Sequence, residues 1–295
     1  MTDPTSADGS SFDGRRSFVF RSLPTGVTLH YAVQGDPHGP ALVFVHGYAD
    51  SWYVFAPLLD RLPDNYRIYA LSLRGHGESD KPAESDTESY SVEAYASDVK
   101  AFVETVVRPT DAPTVTLVGH SLGSFVARKA VLVGTKVDRL VLIGSAPHSV
   151  GNPGALALRE AVDDLQDPVS VAFVKSLQST SPLLDPDVMD TVARESAKVP
   201  VHVWRAELDA ILRDDHSAEL ARLDVPTLLI WGEEDMLFGR ETQEELVRLL
   251  PRAELRSFPG LGHAPWLEHP PTIARAITDF LCSPQNVPAP QRRTR

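Results

Sequence analysis

The chain has 295 residues, 42% of them hydrophobic and 23% charged, and an excess of acidic residues gives a net charge of −12. This composition is that of a globular protein with a substantial core, and the acidic charge excludes nucleic acids and anionic membranes as expected partners. Cys282 is the only cysteine, which excludes an intrachain disulfide. No apolar leader precedes the fold and no segment approaches the roughly 20 apolar residues of a membrane span, so we expect a cytoplasmic protein.

Strands and helices alternate along the chain between two polar ends. Residues 1–16 and 283–295 are polar and Ser/Pro-rich and are predicted to be disordered tails. Residues 17–22 and 27–33 flank the turn residues LPTG, a pattern that predicts an antiparallel hairpin. Apolar strands are predicted at 41–47, 67–73, 114–119, 139–145, 226–232 and 253–259, and helices at 52–61, 91–107, 122–133, 241–250 and 271–281. This alternation predicts the α/β class, with a doubly wound, mostly parallel sheet that has helices on both faces.

Residues 147–220 interrupt this alternation. They contain amphipathic helical pieces separated by Pro and Gly, and the segment is far too long for an ordinary connection. We expect a helical cap over the carboxyl edge of the sheet, where α/β proteins bind their ligands. The predicted α/β core then consists of residues 17–146 and 221–282.

Ser121 lies in the pentapeptide GHSLG, residues 119–123, which fits the pattern G-x-S-x-G. A predicted strand ends at Gly119 and a helical segment begins at about Leu122. On such a sharp turn, flanking glycines remove the Cβ atoms that would collide, and the serine hydroxyl stands above the sheet as a nucleophile. The alternative is a serine that only caps the helix, and the pentapeptide alone does not exclude it.

A serine nucleophile needs a base, and the base needs an acid that orients it. His263 lies in a Gly/Pro-rich loop after the last predicted strand, at the same sheet edge as Ser121, and is the predicted base. His269 is interpreted as a helix-start residue. His76, in the stretch RGHGES, also lies at this edge and stays an alternative at this point.

Three acidic residues follow the predicted strand LLIWG in succession: Glu233, Glu234 and Asp235. Adjacent carboxylates in a turn are often only solvated. Asp235 is the predicted acid because it follows the strand-ending glycine by three residues, so its loop can curl back toward the serine. The chain order is then Ser121, Asp235, His263, each at the carboxyl end of a strand.

The loop after the first parallel strand, HGYADSW, predicts an oxyanion hole. The backbone N–H of Tyr48, together with that of Leu122 after the nucleophile, supplies two donors where negative charge develops. His46 is interpreted as a structural anchor of this loop rather than as a base.

Five landmarks in this order resemble those of the α/β-hydrolase fold superfamily, over roughly residues 20–282. They are HGYADSW (46–52), LRGHGESDKP (73–82), GHSLG (119–123), WGEEDML (231–237) and GLGHAPWLEHP (260–270). The resemblance implies an eight-stranded, mostly parallel sheet, a helical cap and the triad of Ser121, Asp235 and His263. It also implies that RGHGES is a structural loop, which removes His76 from the candidate bases.

Two positions depart from patterns of this superfamily. Haloalkane dehalogenases and epoxide hydrolases of the fold resemble the chain but have an aspartate as nucleophile, so Ser121 disfavours alkyl halides and epoxides as substrates. Ala49 stands where a proline often follows two places after the His-Gly pair, and the sequence does not reveal what this change does.

The triad and the resemblance predict a serine hydrolase that cleaves an ester or lactone of a small, fairly apolar molecule through an acyl-enzyme. No metal-binding or dinucleotide motif is found, so no cofactor is expected. Six apolar side chains are candidates for the substrate pocket, although residues of this type more commonly pack into a core: Phe173, Leu177, Met189, Trp204, Leu237 and Trp266.

Three other functions are compatible with the same residues. A C–C bond hydrolase and a cofactor-free haloperoxidase or perhydrolase of this fold use the same triad. A small-molecule receptor that retains the triad belongs to another class, and nothing in the sequence favours it. The sequence leaves the physiological substrate and the oligomeric state open.

Overall fold

The structure of the protein, a computed structural model, describes residues 11–83, 87–178 and 181–283. One sheet of nine strands forms its centre, in the spatial order β1-β2-β3-β5-β4-β6-β7-β8-β9. The strands are β1 (Ser11–Phe12), β2 (Ser17–Ser22), β3 (Thr28–Gly35), β4 (Ala41–Val45), β5 (Arg67–Leu71), β6 (Val115–His120), β7 (Arg139–Ile143), β8 (Thr227–Gly232) and β9 (Ala253–Phe258). The first three strands pair antiparallel with one another, β3 pairs antiparallel with β5, and all other neighbours are parallel.

Helices lie on both faces of this sheet and over one edge. They are α1 (Ala56–Leu59), α2 (Val92–Phe102), α3 (Leu122–Leu132), α4 (Pro153–Ala161), α5 (Val171–Leu177), α6 (Pro186–Ser196), α7 (Val201–Arg213), α8 (Arg240–Leu249), α9 (Pro265–Glu268) and α10 (Pro270–Cys282). Short 3-10 helices cover Trp52–Phe55, Thr87–Tyr90, Arg108–Thr110 and Ser217–Arg222, and a π-helix over Val103–Val107 continues α2. Within the described part of the chain, no helix is long and apolar enough to cross a membrane.

The continuous apolar runs of the central strands are explained by burial on both faces. In β4 every residue is buried, and alternate side chains enter two different cores. Val43 and Val45 belong to the core on one face, whereas Leu42 and Phe44 belong to the core on the other. Because both faces are covered by helices, a polar residue at either set of positions would be buried, so the strand lacks an apolar–polar alternation.

The connection order places a crevice between β4 and β6. The chain passes from β4 to β5 on one side and then returns to β6 on the other side of β4. Loops that leave neighbouring strands in opposite directions open a ligand-binding crevice at their carboxyl ends. Tyr48 follows the end of β4 and Ser121 follows the end of β6, so both predicted site residues lie at this crevice.

Helices α4 to α7 occupy the segment in which the sequence predicts a cap. Helix α7 contacts the loop after β4 directly: the Tyr48 hydroxyl donates to the Trp204 carbonyl at 2.9 Å. The Ala49 N–H donates to the Glu207 carboxylate on the same helix at 3.3 Å. These contacts hold α7 against the loop at the carboxyl end of β4.

The N-terminal edge differs from the prediction. Residues 11–16 belong to the fold rather than to a tail, since Ser11–Phe12 pair with β2 and make the sheet nine-stranded instead of eight-stranded. Arg16 is buried, and its guanidinium donates to the Gln34 side chain at 2.8 Å and pairs with Asp60. The remaining parts of the predicted tails, residues 1–10 and 284–295, lie outside the described residues.

Candidate active site

Ser121 sits on a sharp turn between β6 and α3 with φ 49° and ψ −120°, a backbone conformation that residues with a side chain rarely adopt. The glycines on either side make this turn sterically possible. A Cβ on Gly119 would lie 2.3 Å from the carbonyl oxygen of Gly123, and a Cβ on Gly123 would lie 2.1 Å from that of Val45. A conformation of this kind costs about 1–3 kcal/mol and is characteristic of functional sites.

The hydroxyl of Ser121 does not cap the helix that it precedes. Ser121 occupies the N-cap position of α3, but its side chain makes no capping hydrogen bond. The backbone instead fixes the turn: the Ser121 N–H donates to the Ile143 carbonyl at 3.0 Å, and the Ser124 hydroxyl donates to the Ser121 carbonyl at 2.6 Å. The alternative of a simple N-cap serine is therefore not what the structure shows.

Asp235 and His263 form a hydrogen-bonded pair across two loops. The Asp235 Oδ2 and His263 Nδ1 atoms are 2.8 Å apart. The second carboxylate oxygen, Oδ1, accepts the N–H groups of Leu237 at 2.8 Å and Phe238 at 3.1 Å. The Asp235 side chain is fully buried, whereas that of His263 is 23% exposed. This arrangement places the proton on Nδ1 and leaves Nε2 with a free lone pair, as a general base requires.

His263 lies beside the turn that carries Ser121. A Cβ on Gly144 would lie 3.0 Å from the His263 ring, and Gly144 directly follows Ile143, whose carbonyl accepts the Ser121 N–H. The ring of His120, the residue before the nucleophile, has its centroid 4.9 Å from that of His263. Burial, followed by the nearby His263, holds the pKa of His120 well below its usual value. Neither ring nitrogen of His120 has a hydrogen-bond partner among the described residues, so no carboxylate orients it as Asp235 orients His263.

The two predicted oxyanion-hole donors, the N–H groups of Tyr48 and Leu122, lie on two segments of the chain that are in close contact. Leu122 is the first residue of α3, and the start of this helix packs against the carbonyls of Val45 and His46, three and two residues before Tyr48. Within residues 11–83, 87–178 and 181–283, neither the Tyr48 N–H nor the Leu122 N–H donates to a protein acceptor. Two such N–H groups at a helix N-terminus favour a developing negative charge.

His46 and the RGHGES loop are structural. His46 is fully buried, with Nδ1 donating to the Gly47 carbonyl at 2.8 Å and Nε2 accepting the Leu73 N–H at 3.0 Å. In the RGHGES loop, the Arg74 guanidinium makes two hydrogen bonds of 2.6 Å to the buried Asp98 carboxylate. His76 points from this loop to Glu207 of α7, so it serves the contact between core and helical segment.

Two cavities lie beside residues of the predicted site, although Ser121 and Asp235 line neither of them. One has a volume of about 380 Å³ and is lined by Tyr48, Asp50 and Trp204 among others. The other has a volume of about 470 Å³ and includes His263 in its wall. Leu177, Gln178 and Leu237 line both, so the two cavities are adjacent lobes of one cleft under the helical segment.

Four of the six apolar residues that the sequence predicts at the pocket line the two cavities, and two do not. Leu177, Met189, Trp204 and Leu237 line one or both lobes. Phe173 lines neither lobe and packs edge-on against Trp204 at 6.0 Å between ring centroids. Trp266 as a pocket residue is wrong: it is fully buried between His120 and Phe55, and its indole N–H donates to the Val54 carbonyl.

Sequence reasoning missed two carboxylates at this site. Asp50 lines the smaller lobe, and burial raises its pKa to about 7. Glu207 is fully buried behind the oxyanion loop. Asp50 stands within the HGYADSW landmark, but one carboxylate in a polar loop carries no signal of burial. Among the described residues, no group of His, Cys, Asp and Glu side chains is arranged to hold a metal ion.

The sheet, the strained serine turn and the Asp235–His263 pair together define an α/β hydrolase. The chain belongs to the α/β hydrolase fold family, whose profile matches residues 40–270, and it is therefore a hydrolase of this fold.

Named relatives of the chain catalyse different hydrolytic reactions. It is 26% identical over 301 residues to epoxide hydrolase 3 of Xenopus tropicalis, covering 92% of this chain and 79% of that protein. It is 28% identical over 272 residues to a pimeloyl-acyl-carrier protein methyl ester esterase of Xanthomonas campestris pv. campestris, covering 86% of this chain and 99% of the esterase. Among solved structures, an esterase from Exiguobacterium antarcticum has a TM-score of 0.76 over 90% of this chain and 99% of its own, at 22% identity, which is a likeness of fold.

Proposed function

We propose that this protein is a serine hydrolase that cleaves a carboxylic ester or lactone of a small, fairly apolar molecule through an acyl-enzyme on Ser121. The observation that carries the proposal is the Ser121 turn at φ 49° beside the 2.8 Å Asp235–His263 pair. The similarity to a methyl ester esterase supports ester chemistry.

Each residue has a defined role in this mechanism. His263 Nε2 removes the proton of the Ser121 hydroxyl as Oγ attacks the carbonyl carbon, and the N–H groups of Tyr48 and Leu122 donate to the oxyanion. His263 then gives the proton to the leaving alcohol. A water molecule hydrolyses the acyl-enzyme by the same route. Asp235 holds the imidazole in the required tautomer and stabilises its protonated form.

The nucleophile decides against epoxide hydrolysis, despite the similarity to an epoxide hydrolase. Attack of the Ser121 hydroxyl on an epoxide carbon would leave an ether, which has no carbonyl for water to attack. The enzyme would then be alkylated and could not turn over. Attack on an ester leaves a new ester on Ser121, which water can hydrolyse.

The cleft supports a small substrate with an apolar portion. Its two lobes, of about 380 and 470 Å³, fall within the range of small-molecule sites. Leu177, Leu237 and Trp204 supply apolar walls, and Asp50, Gln178 and Ser196 add polar groups to the smaller lobe.

The test is a panel of nitrophenyl esters, lactones and thioesters with acyl chains of varied length. Ser121→Ala should reduce kcat to below about 1% of wild type without changing the unfolding temperature, because the nucleophile is removed and no capping bond is lost. The matched control is Ser97→Ala, which removes an exposed hydroxyl on α2 that donates to the Glu93 carbonyl and has no part in the Ser121 turn. Retained turnover by Ser121→Ala would contradict the proposal.

The same panel separates the alternative functions. A C–C hydrolase would prefer a ring-fission dienoate to every ester, and a perhydrolase would need peroxide and a carboxylic acid to oxidise halide. A receptor would bind tightly and turn over about once.

A further inference from the structure

Glu207 is a fully buried carboxylate that reaches from α7 into the α/β core. It is approached by groups from three separate segments of the core. Its Oε1 atom accepts the Tyr95 hydroxyl at 2.5 Å, and Oε2 lies 3.2 Å from His76 Nε2 and 3.3 Å from the Ala49 nitrogen. A carboxylate buried to this extent is tolerated only when it is hydrogen-bonded or paired with a charge. The three partners meet that requirement.

His76 is the charged partner. Its Nδ1 atom lies 2.8 Å from the carbonyl oxygen of Arg74, which can only accept, so Nδ1 carries a proton. Its Nε2 atom faces the Glu207 carboxylate and donates as well, so the ring is an imidazolium. Burial is the largest single influence and lowers the pKa of His76, but Glu207, the Arg74 carbonyl and Asp50 together raise it above its ordinary value. The pair is a buried ion pair between the helical segment and the core.

The same helix holds the loop that carries the predicted oxyanion donor. The Tyr48 hydroxyl donates to the Trp204 carbonyl at 2.9 Å, and the next residue, Ala49, donates its N–H to Glu207. Ala49 has φ 54°, a conformation that a proline ring cannot adopt, and proline has no N–H to donate. This explains what alanine does at the position: it allows the loop to bind α7.

We propose that Glu207 is a positioning residue for the oxyanion hole, which orients the Tyr48 N–H toward the oxyanion by holding the adjacent Ala49 N–H. The inference rests on the proposed function, since it requires the Tyr48 amide to bind the oxyanion. A donor held in place before reaction stabilises the transition state without reorganising, whereas a displaced donor loses much of that effect. Glu207 therefore acts on the transition state more than on the bound substrate.

The experiment compares Glu207→Gln with Asp209→Asn, both on α7. The first substitution removes the charge that binds His76 and leaves only one amide oxygen for three donors. The second removes the partner of Arg159, a contact within the helical segment that does not touch the oxyanion loop. Loss of helical-segment stability alone would affect both variants, so the control separates a positioning role from a structural one.

The measurements are the burst rate and KM with a nitrophenyl butyrate, and inhibition by butylboronic acid, which forms a tetrahedral adduct with serine. For Glu207→Gln we expect the burst rate and the boronic acid affinity to fall together by about tenfold, a part of the roughly 10²–10³-fold effect of deleting a donor. KM and inhibition by butanol should stay within about twofold. Asp209→Asn should leave the ratio of the boronic acid and butanol inhibition constants unchanged.

Each outcome has a defined meaning. An unchanged inhibition ratio in Glu207→Gln, or an equal change in Asp209→Asn, overturns the inference and leaves the proposed function standing. Absence of any Ser121-dependent hydrolysis in the wild type overturns both. If Glu207→Gln does not fold, Glu207→Asp takes its place, because it keeps the carboxylate and withdraws it from the Ala49 N–H by the length of one methylene. That variant should lose boronic acid affinity more than butanol affinity, and an unchanged ratio of the two inhibition constants overturns the inference.

Discussion

Replacement of Asp235 by asparagine should reverse the proton pattern of His263, the proposed catalytic base. In the wild type, Oδ1 accepts the N–H groups of Leu237 and Phe238, and Oδ2 faces His263 Nδ1 at 2.8 Å. The asparagine oxygen must take the Oδ1 position, because an amide N–H₂ there would face two donors. Its N–H₂ group then points at Nδ1 and donates to it. The imidazole proton is driven to Nε2, which can no longer accept the proton of Ser121.

The expected loss is large because the geometry changes little. A wrong histidine tautomer in a serine triad lowers kcat by about 10⁴-fold, equivalent to about 5.5 kcal/mol of activation free energy. The assay is steady-state hydrolysis of a nitrophenyl ester by Asp235→Asn, with thermal unfolding to confirm that the fold is kept. Glu233→Gln is the matched control, since it removes a carboxylate two residues earlier that pairs with Arg240. More than about 10% of wild-type kcat in Asp235→Asn would refute this reasoning.

Two further predictions concern stability. Gly123→Ala should lower the unfolding free energy by at least about 3 kcal/mol, because the new Cβ would lie 2.1 Å from the Val45 carbonyl oxygen. The loss is measured as a fall in melting temperature. The control is Gly239→Ala, which should change the melting temperature little because its Cβ meets nothing within 4 Å. Equal melting temperatures for the two variants would contradict the packing argument. Burial raises the pKa of Asp50 to about 7 in the folded protein, from 3.8 in a free chain. Its contribution to the unfolding free energy is therefore complete below pH 3.8 and is lost as the pH rises through 7. The titratable groups that face it are His76, Glu207 and His263. The unfolding free energy of the wild type should therefore fall between pH 4 and pH 8 in urea titrations, and that of Asp50→Asn should fall by about 2 kcal/mol less. This is half of the free energy that the pKa difference corresponds to, because the side chain is partly exposed and solvent screens the effect. Parallel pH profiles would show that Asp50 is not the group responsible.

Local sequence predicted most of the sheet because the central strands are buried on both faces. The predicted strand at 139–145 is observed as Arg139–Ile143, and that at 226–232 as Thr227–Gly232. Such strands are continuous apolar runs, which are visible without knowledge of their neighbours. The edge strand Ser11–Phe12 was not predicted, since its two residues are polar or exposed and become a strand only by pairing with β2.

Sequence order predicted a triad of Ser121, Asp235 and His263, and in the structure Asp235 and His263 are hydrogen-bonded to each other. It did not predict which way neighbouring side chains point. Trp266 is three residues from the predicted base and was expected at the pocket. Helix α9 directs its side chain into the core that contains Leu42 and Phe44, where Phe55 packs against its ring. Nearness along the chain fixes distance between backbones and leaves the direction of a side chain to packing.

By itself, the sequence determined the class of fold and predicted the nucleophile, since both depend on local patterns and on residue types at strand ends. Only the tertiary structure decided how the loop that carries the predicted oxyanion donor is held. Ala49 and Glu207 are 158 residues apart in the chain, and Glu207 resembles any other carboxylate of an amphipathic helix until α7 meets the core. Burial and long-range hydrogen bonds arise only when distant segments come together, so no local pattern can carry them.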